Sequence, residues 1–147
     1  MSFDIGTFEK RLKSEAESLG ERDLAQALSA LEPLAAGTAG DEKENARFRW
    51  LIGRIHQERY LRSDPRSPQA REALERAVSA FHEVYRSAPD RFLRHGVGAL
   101  ALLARGRRDG IVLPGLPLPE ILATEILDAL DVREREGRLE EPADLAA

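Results

Sequence analysis

At 147 residues and 42% apolar, the chain is long enough to bury one core and too short for two independent ones, so residues 1–147 are expected to form a single domain. It has no cysteine, which excludes a disulfide framework, a thiolate metal site and a cysteine nucleophile. Charged residues make up 33% of the chain with both signs mixed, and a net charge of -4 predicts no broad affinity for nucleic acid or anionic lipid.

Aromatic residues are only 5% of the chain, so the core must be mostly aliphatic, as helix-on-helix packing permits. That favours an all-α fold. The first residues carry no apolar run of secretory length, and no segment approaches the ~18 apolar residues of a membrane span. A cytoplasmic location without membrane contact is the expectation.

In chain order, Phe8, Leu12, Ala16 and Leu19 fall on one helical face, with Gly20 as a left-handed stop. Leu24, Ala27, Leu28 and Leu31 repeat the period until Pro33, which is expected to end or kink a second helix antiparallel to the first. Ala35 to Gly40 reads as a loop. Asp41-x-x-Glu44 then has the form of a capping box that opens a long third helix. Phe48, Leu51, Ile52 and Ile55 give this helix one apolar face. Trp50, Gln57 and Leu61 give it a second, which suits an interior element of a stacked array.

Ser63 to Pro68 carries two prolines and predicts a polar turn, with Ser67 as cap and Pro68 in the first helical position. Leu74, Ala77, Val78, Phe81 and Tyr85 define the clearest amphipathic helix, ended by Pro89. Asp90 is the expected cap of a fifth helix, from Arg91 to about Ala104, in which Gly96 and Gly98 imply close approach of a neighbouring backbone. The glycines and prolines of Arg105 to Pro119 predict a long loop, and Pro119-Glu120 opens a sixth helix carrying Ile121, Leu122, Ile126, Ala129 and Leu130. The residues from Pro142 read as the first turn of another helix, so the chain is expected to be one end of a longer array or a trimmed piece.

A small Ala four residues before a large aromatic, with Pro at the helix end, is the second-helix pattern of a tetratricopeptide repeat, because the Ala lets two helices approach while the aromatic fills the gap. Ala77, Phe81 and Pro89 fit it. In the preceding helix Trp50 lies three residues before Gly53 where four are usual, and His56 stands in the usual place of Tyr.

The run Leu51-Ile-Gly-Arg-Ile-His-Gln-Glu-Arg-Tyr-Leu61, a stretched turn, Ala73 to Tyr85, and Arg91-Phe-Leu-Arg-His-Gly-Val-Gly-Ala-Leu-Ala-Leu-Leu103 with Gly106 resembles the TRAFs-binding domain of the apoptosis signal-regulating kinases and its bacterial relatives. The resemblance covers roughly residues 48 to 106 and departs from the family at His56 and at Val97-Gly98, where the family has Tyr and Ile-Asn. It implies a tetratricopeptide-like helical scaffold used as an adaptor in signalling or defence assemblies, and with the six helices read along the chain the expected fold is an array of about three antiparallel helix pairs. It implies neither kinase activity nor binding to TRAF proteins.

No catalytic constellation is legible. His56, His82 and His95 fall in different predicted helices at no metal-ligand spacing, so no metal and no cofactor are expected. Gly96-Val-Gly98 lacks the third glycine and the preceding strand of a nucleotide loop. Arg105-Gly-Arg-Arg108 reads first as cations complementing a helix end, and second as a contact for an acidic partner or a phosphate. The expected function is therefore a non-catalytic protein-protein interaction scaffold, and the alternative is a structural oligomerisation domain that presents a separate effector. If the first helices of each pair line a concave surface, then Arg47, Trp50, Arg54, Gln57 and Glu58 are the expected contacts for a protein or peptide partner. Self-association is left open.

Overall fold

The computed structural model describes residues 3–38 and 40–137. Among the described residues it is all-helical: α1 (Ile5–Ser14), α2 (Glu21–Gly37), α3 (Glu42–Arg62), α4 (Pro68–Ser87), α5 (Leu93–Arg108) and α6 (Pro119–Arg135), with no strand. The expected turn at Pro142 lies outside the described residues. From α2 onward each helix packs against the next, α3 against α4 and α4 against α5 most extensively. The Glu9 carboxylate of α1 reaches Arg47 of α3 at 2.9 Å.

Local chemistry sets most boundaries. The Asp41 carboxylate accepts from the Glu44 backbone N–H at 3.1 Å and opens α3, as its spacing predicts. Ser67 accepts from the Ala70 N–H at 3.1 Å with Pro68 at the first helical position of α4. At the end of α5, Gly110 takes φ +82, and the Ile111 N–H turns back to the Gly106 carbonyl at 2.8 Å. That is a glycine C-terminal stop of the Schellman kind.

Six expectations are corrected. The first helix stops at Ser14 and a single 3-10 turn, Ala16–Ser18, follows, in which the Ser18 hydroxyl and the Ser18 N–H both bond the Glu15 carbonyl. Gly20 is extended, φ -80, and serves as the N-cap of α2, its N–H donating to Asp23.

The second helix runs through Pro33 to Gly37 instead of ending there. Pro33 is exposed, while Leu24, Ala27, Leu31 and Ala35 keep one buried face on both sides of it. The lost backbone bond therefore falls on the wet side, where water can replace it. Asn45 then donates to the Ala35 carbonyl at 2.9 Å and ties the end of α2 to α3.

The fifth helix begins at Leu93, after a turn in which the Arg91 and Phe92 N–H groups both bond the Ala88 carbonyl, so Asp90 is not its cap. It also continues to Arg108, shortening the expected loop. Gly106 is inside it because a Cβ there would lie 2.5 Å from Leu74 Cδ2. Lastly, the neighbours of Gly96 and Gly98 are aromatic rings, Tyr85 for the first and Phe81 and Trp50 for the second, and not a backbone.

Two apolar clusters result. One joins Phe8 and Leu12 of α1 to the buried faces of α2 and α3, and the other centres on Leu74, Ala77, Phe81 and Tyr85 of α4 with Leu102, Leu122 and Ile126. Half-buried Trp50 packs against both. In α6, Leu122 and Ile126 are buried as expected, but Ile121 is 52% exposed.

Candidate functional site

Trp50 stands at the junction of α3, α4 and α5. Its ring centroid lies 4.8 Å from that of Phe81 and 5.3 Å from that of His95, and the Arg94 guanidinium sits 4.0 Å above it. The residue is therefore both core and surface: one side belongs to the packing, and the other ends in a groove under Arg94.

That groove, ≈ 430 Å³ in volume, runs between α3 and α5. Trp50, Arg54, Gln57 and Leu61 form one wall at helical spacing. Arg94, Val97, Ala101, Arg105 and Arg108 form the other. Its lining mixes cations with exposed apolar surface, since Val97 and Leu61 are each 45% exposed.

The charges are poorly neutralised. Arg105 faces Asp109 at 3.6 Å, whereas Arg54 and Arg108 have no ion-pair partner among the described residues. The Arg54 Nε is buried without a hydrogen bond. Burial first, and then the neighbouring Arg54 charge, pull the Arg94 guanidinium below its ordinary pKa against an opposing pull from Glu9. At the far end, the Tyr60 hydroxyl donates to the Asp109 carboxylate and locks the end of α3 to the end of α5. Burial and that bond push Tyr60 up to about 12.

Of the expected contacts, the structure brings Trp50, Arg54 and Gln57 together in the groove. Arg47 lies outside the lining, occupied with Glu9, and Glu58 is turned to Arg62 at 3.3 Å with its side chain 15% exposed. Of the α5 wall, Arg105 and Arg108 stand out in the sequence as a basic helix end, while Arg94, Val97 and Ala101 were missed as contacts. The wall's signal is present in the sequence as Arg94, Val97, Ala101, Arg105 and Arg108 at steps of three and four.

A second hollow, ≈ 610 Å³, lies near the end of α3 and the start of α4 and includes His56, Arg59, Arg62 and Arg76. Here each cation is matched: Arg59 with Glu21 at 2.7 Å, Arg62 with Glu58 at 3.3 Å and Arg76 with Glu72 at 2.9 Å. It is larger but has little charge left to offer a ligand.

The three histidines lie in α3, α4 and α5. His95 is a tie between helices: its Nε2 donates to the Ala46 carbonyl at 2.9 Å, which fixes the neutral tautomer, and burial lowers its pKa. His56 is 4% exposed, and burial, then Arg59 and Arg76, lower its pKa to about 4 despite an opposing pull from Glu72. Its folded pKa lies below the unfolded value of about 6.5, so the folded chain binds fewer protons there, and stability falls as pH drops through that interval. Between about pH 7.5 and about pH 5, urea unfolding should show a loss on the order of 2 kcal/mol from this residue. His56→Gln should flatten that slope; an unchanged slope would refute the assignment.

Among the described residues no helix is long and apolar enough to cross a membrane. No protein-family model matches the chain, and no curated protein or solved structure matches it.

Proposed function

We propose that the chain is a non-catalytic interaction module of tetratricopeptide-like type, and that the groove between α3 and α5 receives a segment of a partner protein. The observation that carries this reading is the groove itself, where unneutralised arginines and exposed apolar side chains flank Trp50. Trp and Arg are the residues most often found at binding hot spots. The sequence spacing of Ala77, Phe81 and Pro89, the contact of α1 with α3 through Glu9 and Arg47, and the facing of α3 with α5 across one groove all support an arrangement in which alternate helices share a side. A role in a bacterial signalling or defence assembly rests on the family resemblance of residues 48 to 106.

A neutral steric block tests the groove without touching its charge. Ala101→Tyr, on the exposed face of α5, is expected to abolish capture of protein partners from a lysate of the source cells while the helical circular dichroism stays unchanged. Leu127→Tyr, on the exposed side of α6, is the control. Retained capture by a folded Ala101→Tyr chain would refute the groove.

The alternative, a structural oligomerisation domain, is favoured by a different observation. Leu118, Ile121 and Val132 are 52%, 52% and 49% exposed on and beside α6, a surface on which a further helix or a second copy could pack. A concentration-independent monomer mass in solution would argue against it.

A further inference from the structure

We propose that the occupant of the groove between α3 and α5 is an acidic segment of another protein, its carboxylates paired with Arg54, Arg94, Arg105 and Arg108 and its apolar side chains laid on Val97 and Leu61. This rests on the reading of the groove as a partner site and adds the chemistry of the partner.

Charge complementarity is the first argument. Four guanidinium groups from two facing helices line one depression, and no carboxylate is among its lining residues. Compensation comes from Asp109, opposite Arg105 at 3.6 Å and already accepting from Tyr60, and from Glu9, which acts on Arg94 but is paired with Arg47. The chain as a whole is net -4, so this cationic strip is a local departure from an acidic background.

The second argument is the Arg54 Nε, a donor buried without an acceptor. A buried unpaired donor is costly, and a carboxylate bonded to the outer nitrogens of this guanidinium would offset that cost. The same anion would ease the repulsion between Arg54 and Arg94, which depresses the Arg94 pKa together with burial.

An arginine strip beside a tryptophan could also suggest single-stranded nucleic acid, where bases stack on free aromatic faces. Trp50 offers no such face. Arg94 covers it at 4.0 Å, Phe81 packs against it at 4.8 Å between centroids, and His95 meets it at 5.3 Å. The net charge further opposes a polyanion. From Trp50 to Leu61 the groove wall is roughly 16 Å long, enough for about ten residues of a partner helix.

Trp50 is the only tryptophan, so its fluorescence reports occupancy directly. The probe is a synthetic helical peptide of roughly twelve residues with glutamate every third or fourth position and leucine and alanine between, compared with its glutamine counterpart. The glutamate peptide is expected to bind at least about tenfold more tightly, with an advantage that shrinks as salt is raised. Arg54→Gln with Arg108→Gln should remove most of that advantage, while Arg86→Gln, away from the groove, should leave it intact.

Equal binding of the two peptides, binding of neither, or tighter binding of oligo-deoxythymidine would overturn the proposal. These outcomes are separable from failure of the groove itself. If Ala101→Tyr abolishes partner capture while the two peptides bind alike, the groove is a partner site for a different chemistry. If capture survives Ala101→Tyr, the site lies elsewhere.

Discussion

Gly53→Ala should lower the unfolding free energy by roughly 3 kcal/mol, although alanine is the better helix former by about 1 kcal/mol. The reason is the seat of Phe81. A Cβ on Gly53 would stand 2.3 Å from Phe81 Cε1, and a Cβ on Gly98 would stand 3.2 Å from the same ring on the α5 side. Phe81 is fully buried between α3 and α5, so the ring cannot retreat from the new methyl.

The test is a double-mutant cycle. Phe81→Leu shortens the side chain and by itself costs about 1 to 2 kcal/mol. Combined with Gly53→Ala it should be less destabilising than the sum of the singles by roughly 1 to 2 kcal/mol, because the clash is relieved. Strict additivity in urea unfolding would show that Gly53 does not seat the ring.

Leu74→Asp should leave the chain unfolded at room temperature. Leu74 is 0% exposed, fills the bare surface of Gly106 and sits in the α4–α5–α6 cluster. Its truncation alone would cost about 2 to 5 kcal/mol, and an unpaired carboxylate in its place adds several more. That sum approaches the roughly 5 to 15 kcal/mol by which small proteins are stable. Leu127→Asp is the matched control: at 64% exposed it should change stability by no more than about 0.5 kcal/mol. Loss of helical circular dichroism in the first variant alone is the expected pattern, and a cooperative unfolding transition retained by Leu74→Asp would count against this core.

Both residues were visible in the sequence for a physical reason. Leu74 and Phe81 lie on a strongly periodic face, bounded by Ser67-Pro68 and Pro89, and such a pattern leaves little choice of structure. Asp41 was legible on the same grounds, since a cap acts within three residues of itself.

Pro33 and Gly106 misled because both read as breakers. What overrides them is distant in sequence: a solvent-facing side for Pro33, and a leucine from α4 pressed on Gly106. Asp90 failed for the opposite reason, since a plausible cap was in place but the chain turned once more before α5 began.

The groove was half legible. Trp50 and Gln57 lie on the second face that the sequence offers for α3, and Arg54 joins them in the groove lining. Arg47 and Glu58 share the helix but are occupied with Glu9 and Arg62, pairings that only the folded chain creates. The opposing wall depended on knowing that α5 runs past Gly106, which brings Arg105 and Arg108 into line with Arg94.

Site-specific photo-crosslinking tests the central claim most directly. A photoreactive side chain at Val97, 45% exposed in the groove wall, is compared with one at Val112, 70% exposed outside the groove lining. Irradiated in lysate of the source cells, Val97 should give a discrete protein adduct that unlabelled chain competes away, and Val112 should not. The same adduct from both positions, or from Val112 alone, would contradict the assignment of the α3–α5 groove as the partner site.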